Sequence, residues 1–315
     1  MTPEYLATAR LLVEVAPAVF ESESFALKGG AAINLFLRDL PRLSVDLDLV
    51  LTDYRLSRKE ALETIRLRLL EAKARLDERD LSVQLVTTKG TGETKLLVRR
   101  GEQAVKIEVN TVIRGSVHPP QRMSLNAIAS ETLMSDLELP LLSPEDIYGG
   151  KLVAALDRQH PRDLFDVMEL FAHGGITPEI RQAFVVYLVS HNRPTHEVLF
   201  PVPKDVRLAF EGTFSGMTAS PVTLEQLLEA RQRLFQELPT SLNKSEREFL
   251  RTFTRGEPIW SLLDVPHLEQ LPAVRWKLQH LQLLAQTNPR KFQRLEEALM
   301  RALDFSGPEA KEPGA

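Results

Sequence analysis

The sequence predicts an α+β chain: a head of strands and helices over residues 1–140, then an all-helical domain over residues 141–305. Three observations carry this. Val45-Asp46-Leu47-Asp48-Leu49 alternates apolar and acidic residues with the period of a half-buried strand. Three further strand-like segments, Leu81–Thr88, Lys95–Arg100 and Ala104–Thr111, are joined by glycine-bearing turns and read as an antiparallel meander. From Ser143 onward the apolar spacing is helical and proline punctuates it.

Taken in order, residues 4–20 place Leu6, Ala9, Leu12 and Val13 at helical spacing, and Phe25-Ala26-Leu27 is a short strand ending in the turn Lys28-Gly29-Gly30. Ala31 to Leu40 is helical in period and Pro41 stops it. The strand Val45–Leu51 follows, then a charged helix over about 57–79 with Leu62, Ile65, Leu69 and Leu70 on its apolar side. The sheet therefore has at least four strands. Residues 112–142 carry no clear pattern. Ser143-Pro144-Glu145-Asp146 combines a hydroxyl N-cap, proline at the first helical position and an acid three residues on, a helix start. The tail 306–315, rich in Gly, Pro and charge, is expected to be disordered.

Composition narrows the function. With 43% hydrophobic and 26% charged residues the 315-residue chain is of ordinary globular type. Zero cysteines exclude disulfides, thiolate zinc sites, iron–sulfur clusters and a cysteine nucleophile, which fits a reducing cytoplasm. Neither a basic-then-apolar leader nor an 18-residue apolar run is encoded, so no membrane association is expected. The net charge of −4, from 39 basic and 43 acidic residues, provides no global basic field, so any nucleic-acid contact must be local.

Chemistry concentrates in a few places. Asp46 and Asp48, two apart in a strand, project to one side, close enough to share a divalent cation. Lys106 and Glu108 alternate in the same way; if their strand neighbours that of Asp46, three carboxylates share a face. Such a cluster suits metal-assisted phosphoryl or nucleotidyl transfer. Gly29-Gly30 allows close backbone approach and offers N–H groups to phosphate oxygens. Lys151 and Arg158 lie two helical turns apart, so both cations can point the same way toward nucleotide phosphates. Asp163 and Asp166, three apart, share a face of the next helix and can orient the lysine or act as a base.

Leu27-Lys28-Gly29-Gly30, a short helix and Leu43-Ser44-Val45-Asp46-Leu47-Asp48-Leu49 together resemble the first motif of the polymerase-β-like nucleotidyltransferase superfamily, in particular its AbiEii/MenT branch of toxin–antitoxin toxins. Lys151–Arg158 resembles that branch's lysine motif, and Arg162-Asp163-Leu164-Phe165-Asp166 its Arg-Asp-x-x-Asp motif. The resemblance covers about residues 25–170. It departs at Gly30, where the wider superfamily often has serine; Ser44 is the candidate to supply that hydroxyl.

The resemblance implies a polymerase-β-like head that binds Mg²⁺–NTP and a helical domain that completes the active site and holds the acceptor. The metal ligands would be Asp46 and Asp48, with Glu108 as a candidate third. Lys28, Gly29, Gly30, Ser44, Arg158 and Arg162 would bind the nucleotide, and Lys151, Asp163 and Asp166 would join the two aspartates as catalytic residues. It further implies transfer of nucleotides to the 3′ acceptor end of tRNA, a block on translation and a cognate antitoxin protein. Two alternatives stay open: transfer to a small-molecule or protein hydroxyl, and a non-catalytic nucleotide- or RNA-binding module.

Lesser signals complete the reading. Gly90-Thr91-Gly92-Glu93-Thr94-Lys95 lacks the Gly-Lys-Ser/Thr ending of a phosphate loop and reads as a hairpin turn. The seven histidines form no zinc-ligand spacing, and His160, between Arg158 and Arg162, reads either as a helix-junction residue or as a substrate contact. Arg247, Arg251 and Arg255 form a basic stripe, with Lys291, Arg294 and Arg301 on a later helix, read either as solvated faces or as grips on an RNA backbone. Phe249, Phe253, Trp260 and Trp276 are expected in the core.

Overall fold

In the computed structural model, which describes residues 3–88 and 94–306, the alternating segment at Asp46 lies at the middle of a seven-stranded mixed sheet. The strands are β1 (Phe25–Lys28), β2 (Asp46–Leu51), β3 (Ser82–Thr87), β4 (Thr94–Arg100), β5 (Gln103–Asn110), β6 (Gln121–Ser124) and β7 (Glu138–Leu141), in the order β3-β4-β5-β2-β1-β7-β6. β2 pairs parallel with β5, and β1 parallel with β7; the other neighbours are antiparallel. The expected meander is β3-β4-β5. The sheet's last two strands come from the region 112–142 that showed no pattern, because β6 and β7 are four residues each, too short for a period to register. Most of the turn expected at Gly90–Lys95 lies outside the described residues, as do residues 307–315 of the tail.

This strand-bearing unit comprises Met1–Ile147 with the later segment Phe214–Pro221. Helices α1 (Pro3–Phe20) and α3 (Arg58–Asp77) pack on each other, with α1 against β5 and α3 against β3 and β4. They cover a sheet face lined by Leu47, Leu96, Val98, Val105 and Ile107, all fully buried. Local chemistry starts α3 where expected: Ser57 Oγ accepts from Glu60 N and the Glu60 carboxylate accepts from Ser57 N, a capping box. The helix expected over 31–40 is shorter. It comprises α2 (Gly29–Ala32) and a single π turn over Ile33–Leu37, closed by Arg38 N donating to Ile33 O at 2.9 Å, after which Arg38 is extended and Leu40 takes φ +52°. The short helix α4 (Ala127–Leu133) is capped by Asn126.

The second unit, Tyr148–Thr213 and Val222–Ala315, is built from helices. The division falls within α5 (Pro144–Arg158). The others are α6 (Pro161–Ala172), α7 (Pro178–Val189), α8 (Thr195–Leu199), α9 (Arg207–Thr213), α10 (Leu224–Ser241), α11 (Lys244–Thr254), α12 (Pro272–Thr287) and α13 (Pro289–Phe305). Proline opens α5, α6, α7, α12 and α13, where the missing N–H would be unpaired in any case. At Gly149 a Cβ would stand 2.7 Å from Phe184 N, so only glycine lets α5 approach α7 this closely.

The basic stripe of α11 is engaged in contacts within the helical unit. Arg247 is 7% exposed and donates to the carbonyls of Pro239, Leu242 and Leu303, while Arg251 pairs with Asp304 and Arg255 with Glu296 of α13. Phe249 and Phe253 are buried as expected and Trp260 packs on both, but Trp276 is not core: it is 39% exposed and lies against His280 with ring centroids 3.9 Å apart.

Candidate functional site

In the strand-bearing unit, pairing across the sheet places the candidate residues. Lys28 stands opposite Asp48 on β1–β2, Asp48 beside Glu108 on β2–β5, and Glu108 opposite Lys95 on β4–β5. Directly paired residues share a sheet face, so one row across four strands reads Lys, Glu, Asp, Lys. Asp46 stands beside Lys106 in the next row on that face. Both aspartates are half-buried, whereas the residues that alternate with them, Leu47 and Leu49, are fully buried.

Charge balance sorts these acids. Glu108 is held by Lys106 at 3.1 Å and Lys95 at 3.5 Å. Burial works against the Lys106 ammonium, but its hydrogen bond to Glu108 and the charges of Asp46, Glu108 and Asp48 outweigh it and hold its pKa above the usual amine value. Glu108 is thus beside Asp48 in register yet occupied by two lysines. Among the described residues no group of three or more His, Asp or Glu side chains is placed to hold a metal ion. Asp46 and Asp48 alone offer a pair of hard oxygen donors of the kind Mg²⁺ takes.

The glycine turn is built around these residues. Gly29 has φ +76°, a conformation glycine adopts without strain, and a Cβ there would lie 2.5 Å from Asp48 Oδ2. The Asp48 carboxylate therefore fills the space against the Gly29 backbone. At Gly30 a Cβ would lie 2.8 Å from both Ser44 Oγ and Arg42 Nη2. This accounts for the departure from Gly-Ser: the hydroxyl of Ser44 and the guanidinium of Arg42 occupy the place a side chain at position 30 would need.

Arg42 was missed in the sequence. It is 2% exposed, and its Nη1 donates to Leu43 O at 2.9 Å. The only signal was a basic residue between Pro41 and Leu43, just before the alternating strand. Its main chain is held by a stretch remote in sequence: Leu43 N donates to Met217 O, Ala219 N donates to Pro41 O, and Arg42 bridges Thr218.

In the helical unit, Lys151 on α5 reaches Asp163 Oδ1 at 2.9 Å and Asp166 Oδ2 at 2.8 Å, both on α6. All three side chains are buried, at 7%, 3% and 0% exposure. Arg158 joins through Nη2, 2.8 Å from Asp163 Oδ2, although its side chain is 62% exposed. Two cations thus balance two carboxylates, as burial requires. Helical spacing explains the meeting: Lys151 and Arg158 are two turns apart, and Asp163 and Asp166 share one face of the next helix. Arg162 is half-buried and has no ion-pair partner among the described residues. His160 is the N-cap of α6, its Nδ1 accepting from Arg162 N at 3.2 Å, the junction role expected of it.

The arrangement offers oxygen donors for a cation beside a backbone turn in one unit. In the other it offers a buried, hydrogen-bonded lysine with an exposed guanidinium nearby. A family model described as nucleotidyl transferase AbiEii toxin, type IV toxin–antitoxin system, matches residues 10–280. Among solved structures, the fold is similar to that of MenT4, the nucleotidyltransferase toxin Rv2826c from Mycobacterium tuberculosis H37Rv, with a TM-score of 0.56 and 18% sequence identity over 86% of this chain and 93% of that one. No curated protein sequence matches the chain.

Proposed function

The chain belongs to the AbiEii family of nucleotidyltransferase toxins, and from that premise we propose that it transfers nucleotides from an NTP to the 3′ acceptor end of tRNA in the cytoplasm, in a Mg²⁺-dependent reaction that blocks translation and is restrained by a cognate antitoxin. The observation that supports this reading best is the contact between Asp48 and the Gly29 turn: a carboxylate pair on a sheet face, with one oxygen packed where a Cβ at position 29 would be. The two aspartates fit a hard divalent cation, which when bound would neutralise triphosphate charge and stabilise in-line transfer.

The remaining roles belong to this chain's own side chains. The Gly29–Gly30 backbone, with Lys28, Ser44 and the missed Arg42 beside it, offers donors to phosphate oxygens. Lys151, held in one rotamer by Asp163 and Asp166, and Arg158 and Arg162 supply positive charge toward the nucleotide. Asp163 and Asp166 position the lysine, since a buried ammonium between two carboxylates has little freedom to reorient. Glu108, engaged by two lysines, acts on Lys106 and so tunes the charge near Asp46 and Asp48; we assign it this positioning role ahead of direct metal ligation.

Incubation with each of four labelled NTPs, Mg²⁺ and total tRNA tests the reading. Label on tRNA from the wild type, and none from Asp48→Ala with an unchanged circular dichroism spectrum, is the expected result. Label on a different acceptor would redirect the substrate assignment. Wild-type turnover by Asp48→Ala would remove the metal assignment.

A further inference from the structure

A cavity of about 210 Å³ opens in the helical unit among α8, α11, α12 and α13, on residues with no catalytic or nucleotide-binding assignment above. Its apolar wall is made by Leu281, Leu284, Leu295 and Leu299, and Trp276, which the sequence suggested would be core, lines it with its ring partly exposed. The ionisable groups that line it are all basic: His196, Lys277, His280 and Lys291, with no acid among them. In a chain of net charge −4 that segregation is a local departure from the whole.

Lys277 is the informative member. Its side chain is 6% exposed, and its ammonium donates to the main-chain carbonyls of Asn192 at 3.2 Å and Arg193 at 2.7 Å. Among the described residues no carboxylate lies within ion-pair distance of it. An ammonium has three hydrogens, and these two bonds leave one over. A buried cation with no carboxylate in contact is costly, and an anion entering the cavity would relieve that cost. Burial correspondingly lowers the pKa of Lys277 to about 8, against the opposing charge of Glu197, so the group is still mostly protonated at neutral pH.

His280 is oriented by its Nδ1–H donating to Trp276 O at 2.7 Å, which leaves Nε2 as its second polar atom and holds the imidazole against the indole. An aromatic wall, aliphatic leucines and a desolvated cation recognise one kind of molecule: a flat apolar body bearing a single negative group. A cavity of roughly 150 Å³ admits benzene, so the larger volume here suits a mono- or bicyclic ring with a short acidic substituent.

We propose that this cavity is a binding site for small aromatic carboxylates, with the carboxylate on Lys277 and the ring between Trp276 and the leucines of α12 and α13. None of the residues that line it is among those assigned above to catalysis or nucleotide binding.

The chain has only two tryptophans, so Trp260→Phe leaves Trp276 as the sole indole emitter. Phenylacetate and its neutral isostere phenylacetamide, neither of which absorbs at 295 nm excitation, are titrated into this variant, and the same pair into the wild type by calorimetry. The expected result is a saturable change in Trp276 emission with phenylacetate, affinity at least 10-fold weaker for phenylacetamide, and loss of that difference in Lys277→Met. Equal affinity for acid and amide, or no saturable response to millimolar phenylacetate in either format, would overturn the proposal. Because the acid–amide comparison uses unmutated Lys277, it decides the matter even if Lys277→Met does not fold. Neither result depends on whether the protein transfers nucleotides.

Discussion

Replacing Lys151 by methionine keeps the length of the side chain and removes its charge from between Asp163 and Asp166. The carboxylates are 3% and 0% exposed, so water cannot take the place of the ammonium, and both lose their ion pair with it, while Arg158 keeps its pair with Asp163. Breaking a buried ion pair from one side costs about 3–5 kcal/mol, a large part of the roughly 5–15 kcal/mol that holds a typical protein folded. The same reasoning predicts a rescue. In Lys151→Met/Asp166→Asn the remaining charges are Arg158 and Asp163, which already pair at 2.8 Å, so the double variant should regain at least about half of the loss. Urea denaturation followed by circular dichroism measures both, with midpoint and slope reported separately. A single variant within about 1 kcal/mol of wild type, or a double variant no more stable than the single one, would refute the view that charge balance governs this cluster. Nucleotide binding by the rescued double variant then reports on Lys151 itself: restored stability with lost affinity for NTP is the outcome expected if the ammonium serves the nucleotide.

Three further predictions address other parts of the molecule. Gly29→Ala puts a methyl group 2.5 Å from Asp48 Oδ2 at a φ of +76°; it should cost roughly 1–2 kcal/mol of stability but lower the transfer rate by about 100-fold through displacement of the carboxylate, as single-turnover kinetics would show. Arg247→Ala should cost about 3 kcal/mol, since several buried carbonyls lose a charged donor, while Arg255→Ala, which breaks a surface pair with Glu296, should cost less than about 1 kcal/mol; comparable denaturation midpoints for the two would contradict the assignment. For Lys277, the pKa is lowered from 10.5 to about 8 in the folded chain, so between those values the unfolded chain holds a proton that the folded one lacks, and stability contributed by this group rises with pH. Relative to Lys277→Met, the wild type should therefore gain about 3 kcal/mol between pH 7 and 11, a difference that denaturation of both proteins across that range would reveal.

Much of the candidate chemistry was legible because it depends on short-range periodicity. Asp46 and Asp48 share a face through the two-residue repeat of a strand, and Lys151, Arg158, Asp163 and Asp166 are brought together by the 3.6-residue repeat of two consecutive helices. Arg42 was not legible. A buried arginine has no local pattern, and its position depends on Thr218, Met217 and Ala219, some 175 residues along the chain. The basic stripe of α11 was read as a face open to solvent or nucleic acid because spacing cannot say which helix lies opposite; α13, with Asp304 and Glu296, lies there.

By itself, then, the amino-acid sequence determined where the longer and capped elements such as β2, α3 and α5 begin, and which acids and bases are neighbours along one element, since capping, proline and periodicity act over a few residues. Only the tertiary structure decided the strand order, with β2 between β1 and β5, the occupation of Glu108 by Lys95 and Lys106, the packing of Asp48 against Gly29, and the exposure of Trp276 beside the buried Lys277 ammonium. Those outcomes rest on long-range pairing and on which charges burial leaves facing one another, and neither is encoded in any short window of the chain.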